Sequence, residues 1–203
     1  MDSLLDILTR IPALLLAVVG HELGHGWVAY LMGDSTAKRD GRLSLNPLHH
    51  IDPLGLLSMI IFRFGWAKAV PINPNAFRNR KLGILLVSLA GVGVNFLLAL
   101  VFSPLLVWSL DQPGLLSDFL IQLVWYNVML GVFNLVPLPP LDGSKVLASF
   151  LPRKWEFYFY QYERYFYFLL VLAVFSGFIS GFISPLIVGI IDHLLTFGAW
   201  VVL

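Results

Sequence analysis

Cysteine is absent from this 203-residue chain, so disulfides and thiolate metal sites play no part in it. Charge is scarce as well. Asp, Glu, Lys and Arg make up 12% of the residues, against about a quarter in a typical soluble domain. The net charge is only +1 and no basic run occurs, so nothing attracts nucleic acid. Internal repeats and low-complexity segments are also missing. The opening Met-Asp-Ser-Leu-Leu-Asp lacks the positive n-region of a signal peptide, so the first apolar run is expected to be kept as a span.

What fills the chain instead is apolar. Hydrophobic residues make up 58% and the mean hydropathy is +0.82. The reading is an all-α polytopic membrane protein, one domain over residues 1–203, with about five transmembrane helices of roughly 20 residues each. The spans are expected near 11–32, 82–110, 115–136, 165–180 and 184–203. The first three would form a core within residues 10–150. Residues 54–62 are apolar but too short to cross, which suits a re-entrant or interfacial piece. Residues 63–72 alternate loosely, with Trp66, Lys68 and Val70, and predict a short membrane-associated β-strand or hairpin. Residues 153–168 carry Trp155, Tyr158, Tyr160, Tyr162, Tyr165 and Tyr167, a density typical of the membrane–water interface.

Loop charge is one-sided. Lys38, Arg39, Arg42, Arg63, Lys68, Arg78, Arg80 and Lys81 lie between the first two spans, and Lys145, Arg153, Lys154 and Arg164 between the third and fourth. Only Arg10 lies on the other side. The positive-inside rule then predicts an outside N-terminus and, with five spans, a cytosolic C-terminus.

His21-Glu22-Leu23-Gly24-His25 lies within the first apolar run. An ionised side chain near the centre of a span costs about 2.5–3.5 kcal/mol by insertion scales, so something must partner it. Two histidines at i and i+4 face one side of a helix, the spacing of two ligands on one tetrahedral zinc. The adjacent Glu22 can take a proton from water on that metal. A third protein ligand is needed, and Asp142 is the candidate. It follows Pro137, Pro139 and Pro140, which end the third span and leave non-helical backbone near membrane depth. Such backbone is tolerated only inside protein or along a wet cavity. The simpler role for Asp142 is as N-cap of the helix that follows. Asn134 lies eight residues upstream, and could hold a substrate backbone or make an ordinary interhelical hydrogen bond. His49, His50, Asp192 and His193 are read as structural, exposed or simple polar contacts.

Several blocks occur together: HELGH in the first span, Asn46-Pro47 with His50-Ile51-Asp52-Pro53, Gly65-Trp66-Ala67-Lys68 with Pro71 and Asn73-Pro74, and Asn134-Leu135 running to Leu141-Asp142-Gly143. In this order they resemble the site-2 protease family of intramembrane zinc metalloproteases. Where members often carry Ala-Gly-Pro-x-x-Asn, this chain has Ala90-Gly91-Val92-Gly93-Val94-Asn95. The resemblance implies one zinc per chain on His21, His25 and Asp142, with Glu22 as general base and Asn134 contacting substrate. It also implies membrane-anchored protein substrates, such as anti-sigma-factor-like regulators or remnant signal peptides, in the cell membrane, and no nucleotide. On this reading Trp66 and Val70 would pair with an unwound substrate as an edge strand, and the site would lie towards the cytosol. Two competing readings use the same residues: a divalent-metal transporter or sensor, and an inactive scaffold.

Overall fold

A computed structural model describes residues 4–52 and 68–202. They are mostly helical: α1 (Leu4–Leu31), the short α2 (Thr36–Arg39), α3 (Arg80–Ser109), α4 (Leu115–Asn134), α5 (Asp142–Phe150), α6 (Arg153–Gln161), α7 (Glu163–Phe175) and α8 (Phe178–Val202). Single 3₁₀ turns at Pro47–His49 and Pro74–Ala76 punctuate the long connection between α1 and α3, each opened by an asparagine whose side chain accepts an amide two residues on. Asn79 caps α3 by accepting the Leu82 amide.

Among the described residues four helices, α1, α3, α4 and α8, are long and apolar enough to cross a bilayer. The fifth expected span is not among them. α7 has 13 residues, about 20 Å of helix against a hydrocarbon core of about 30 Å. Its apolar run is cut at the C-terminal end by Gly177, whose φ of +76° ends the helix and redirects the chain into α8. At its N-terminal end Glu163, Arg164 and the exposed Tyr162 and Tyr165 belong to interface. Among the described residues there is no β-strand. Residues 68–73 form neither helix nor strand, and the rest of the expected hairpin, including Trp66, lies outside the described residues, as does the piece at 54–62.

α1, α3 and α4 pack mutually, and α8 lies against α3 and α4. The largest apolar cluster joins Ala13, Ala99, Leu106, Leu123 and Val128 to Ile179, Ile183 and Ile187, so α8 is fastened to the same core as the first three spans. α3 runs unbroken through Val92, the position where the family pattern carries proline.

The α1–α3 contact depends on missing side chains. A Cβ on Gly24 would stand 2.9 Å from the Ala90 carbonyl oxygen and 2.9 Å from Val94 Cγ2, and one on Gly20 would meet Leu98 at 2.9 Å. Close backbone approach through small residues is a membrane solution, because lipid offers no hydrophobic drive for larger side chains to associate. Gly24→Ala is expected to lower stability by about 1–3 kcal/mol through overpacking. Gly93→Ala on α3, where the added Cβ meets nothing within 4 Å, should leave it unchanged or slightly raised. Thermal unfolding of the two variants in detergent checks the contrast.

Candidate metal centre

α1 presents His21 and His25 one turn apart towards α3, both buried, with ring centroids 4.6 Å apart. What lies behind each ring sets its chemistry. The Val87 carbonyl can only accept, so His25 Nδ1–H donates to it at 2.7 Å. Asn95 donates its amide nitrogen to the Ala17 carbonyl at 3.1 Å and to Asn127 Oδ1 at 2.9 Å, which turns its oxygen towards His21. His21 Nδ1–H donates to that oxygen at 2.6 Å. Asn127 in turn donates to the Leu123 carbonyl at 2.8 Å. Both imidazoles are thereby held as the Nδ1–H tautomer, and each Nε2 keeps its lone pair.

Those lone pairs point at one another and at a carboxylate. His21 Nε2 and His25 Nε2 are 3.0 Å apart, and Asp142 Oδ2 lies 3.1 Å from the first and 3.0 Å from the second. Three unprotonated donor atoms at such spacings repel unless a cation lies between them. Bonds of about 2.0–2.2 Å to tetrahedral zinc would place ligand atoms roughly 3.3–3.5 Å apart, so a few tenths of an ångström of expansion accommodates the ion. Donor type, number and spacing all fit zinc. Among the described residues this is the one cluster of three such side chains that could hold a metal.

Asp142 arrives from the other side of the bundle. α4 ends at Asn134, and the proline-rich turn folds back so closely that a Cβ on Gly143 would collide with the Leu135 and Val136 carbonyls. Asp142 is the first residue of α5, and the cap position is taken by Leu141. The side chain is therefore free of capping and points inward. Its second oxygen accepts Lys145 Nζ at 3.0 Å from one turn along α5. Gly91 completes the enclosure: a Cβ there would come within 2.6 Å of His25 Nε2 and 2.7 Å of His21 Cε1.

Glu22 Oε2 accepts the Val70 amide at 2.8 Å. Val70 lies on segment 68–73, which is strapped along the second half of α1. Arg42, buried, donates from Nη2 to the Lys68 and Ala69 carbonyls at 2.6 and 3.2 Å, and the Lys68 amide donates to the His50 carbonyl at 2.9 Å. Further along, the Asn73 amide donates to Asp34 Oδ2 at 2.6 Å. Burial opposes ionisation of Asp34, but hydrogen bonds from the Thr36 hydroxyl, the Asn73 amide and the Thr36 amide outweigh it and hold the carboxyl below the usual carboxylate range.

The residues singled out in the sequence divide accordingly. His21, His25 and Asp142 come together, and Glu22 sits beside them in sequence with one oxygen bound to the strap. The Val70 amide is committed to Glu22 and its side chain is buried near Gly26. Asn134 turns its amide back to the Leu130 carbonyl of its own helix, 3.0 Å away. His50 is buried, donating from Nε2 to the Ser44 carbonyl, while His49 is exposed; neither joins the metal cluster. Three contributors went unread: Asn127, Lys145 and Arg42. Asn127 carried a signal, since an amide deep in an apolar span demands a partner. Arg42 looked like one more loop cation.

Comparison with known proteins adds relatives. A family model described as Peptidase family M50 matches residues 109–176. The chain is 40% identical over 147 residues to "Putative zinc metalloprotease YwhC" of Bacillus subtilis, covering 68% of this chain and 67% of that protein. It is 33% identical over 145 residues to "Putative zinc metalloprotease Rip2" of Mycolicibacterium smegmatis, covering 68% and 55%. It is 31% identical over 146 residues to "Zinc metalloprotease MJ0392" of Methanocaldococcus jannaschii, covering 71% and 34%. The alignments thus span about two thirds, half and one third of these relatives. No solved structure matches the chain significantly.

Two outcomes test this geometry. Asn95→Ala should weaken zinc affinity about 10–100-fold, because His21 loses the partner that sets its tautomer and orientation; chelator competition reads this directly. Asp34→Asn should cost about 1–3 kcal/mol at neutral pH. Because the native carboxyl is held below its ordinary value of 3.8, that difference is present above the unfolded pKa. It should be lost as pH falls through the folded one, which unfolding titrations at neutral and acid pH would resolve.

Proposed function

This chain belongs to peptidase family M50, the site-2 proteases, and from that premise we propose that it is an intramembrane zinc metalloprotease hydrolysing peptide bonds within or near transmembrane segments of membrane-anchored proteins. One observation carries the reading: three lone-pair donors, two imidazole and one carboxylate, are turned towards one another inside the bundle and need a shared cation.

His21, His25 and Asp142 would hold one zinc, leaving its fourth position for water. When bound, the ion lowers the pKa of that water and polarises the scissile carbonyl. The chain's own residues do the rest. The Val70 amide engages Glu22 Oε2 and leaves Oε1 to accept the proton of the attacking water, then to return it to the leaving amine. Arg42 keeps Val70 at that height by gripping the two carbonyls before it. Lys145 donates to the far oxygen of Asp142 and holds the carboxylate in aim. The role of Val70 on this account is to seat the base, not to pair with substrate. The Asn134 oxygen and the Trp66 segment are the groups proposed to meet the substrate, which must unwind locally because a helix pairs every amide internally.

The substrates proposed are membrane-anchored regulators or remnant signal peptides, cut in the cell membrane. With four spans and the basic connections on the cytosolic side, HELGH in the second half of α1 lies towards the cytosol. With these four spans the start of α1 and the end of α8 both face outward; a fifth span would place the C-terminus in the cytosol.

The test uses the purified chain in detergent with a model transmembrane peptide. Chelation should abolish cleavage and zinc should restore it. Glu22→Gln should keep stoichiometric zinc by elemental analysis while turnover falls by about 10²–10⁴ or more. Cleavage unaffected by chelator, or near-native turnover in Glu22→Gln, rejects the proposal.

A further inference from the structure

α8 buries one side and leaves a problem on the other. Ile179, Ile183, Ile187 and Gly198 face the bundle, and a Cβ on Gly198 would come within 2.7 Å of the Ser103 carbonyl oxygen, so this helix is seated tightly on α3. Asp192 and His193 lie near the middle of the same span and are exposed. Among the described residues the Asp192 carboxylate has neither a hydrogen bond nor an ion pair. His193 donates from Nδ1 to the Gly189 carbonyl at 2.7 Å, which leaves Nε2 as the ring nitrogen open to a partner. A carboxylate and an imidazole facing lipid at this depth are costly, and such groups in spans pair with something.

We propose that the outer face of α8 is a dimer interface between two copies of this chain, closed by reciprocal Asp192–His193 pairs. The argument is charge complementarity at matched depth. The two residues are adjacent, so they differ in height by about 1.5 Å. A two-fold axis along the bilayer normal sets residue i of one copy opposite residue j of the other, and j opposite i. Asp192 of each copy then meets His193 Nε2 of the other, and both stranded groups are satisfied twice by one operation. The surface admits the approach. Asp192 closes a shallow groove floored by Gly181, Ser184 and Val188, and His193 borders an adjoining one with Leu186 and Ile190. A foreign helix would have to bring both an acid and a base to this level, whereas a second copy carries them already. The proposal is independent of the proteolytic reading.

The absence of cysteine makes the test clean. Val188→Cys, one turn from Asp192 on the same face and 57% exposed, is placed in the full chain and oxidised in native membranes. It should give a disulfide-linked species of twice the monomer mass. Leu97→Cys on α3, 58% exposed on another face, should not. Adding Asp192→Leu, which only removes a charge from lipid and does not threaten folding, should lower the cross-linked yield about tenfold. The exchange Asp192→His with His193→Asp keeps the complement and should restore it. Equal cross-linking at both cysteines, capture of a different protein by Val188→Cys, a yield indifferent to Asp192→Leu, or no recovery in the exchanged double variant each overturns the proposal.

Discussion

Two imidazole nitrogens and a carboxylate oxygen meet about 3 Å apart in the interior of an apolar bundle, and the architecture around them is organised by that meeting. None of the three can leave. α1 carries both histidines at a spacing its helical geometry sets. α3 passes behind them, supplying the Val87 carbonyl and the Asn95 oxygen that take the outer ring protons. α4 secures Asn95 through Asn127 and then breaks at its prolines so that Asp142 can enter from below. The three-helix core is in this sense a device for aiming lone pairs. Glycines 24, 91 and 143 are the places where backbone must come near enough for the aim to hold.

A second layer of control runs through a single strap of chain. Carboxylates at two heights on and just beyond α1, Glu22 and Asp34, accept amides three residues apart on segment 68–73, while Arg42 grips the carbonyls between His50 and Val70. The register of the strap along the helix is thus pinned at several points. In an apolar setting each bond is worth more than it would be in water, and each orphaned partner would cost correspondingly more. The consequence is that one oxygen of Glu22 is committed to the strap.

His21, Glu22 and His25 announced themselves because ionisable groups at helical spacing have no business in a span unless they share a ligand. Asp142 was legible from the prolines that precede it. Asn127 was one amide in an apolar helix and gave no hint of which neighbour it served. Arg42 could not be told from the other loop cations, since burial of a guanidinium is decided by a fold-back some 26 residues away. The fifth expected span is not among the long apolar helices of the described residues, since hydropathy counts apolar residues while Gly177 breaks the run between α7 and α8 by backbone conformation.

The amino-acid sequence by itself determined the solvent, the class of fold and the metal-binding chemistry, because composition, apolar runs and an i, i+4 histidine pair are local properties that survive in one dimension. Tertiary structure alone decided the tautomers of the histidines, the occupancy of one Glu22 oxygen by Val70, the capture of Asn95 by Asn127 and the number of helices able to span. The first three depend on which polar group, backbone or side chain, arrives from a distant segment, and the last on the turn at Gly177. In a membrane such arrivals are obligatory, since a buried polar group has no water to fall back on, yet nothing in the local pattern names the partner.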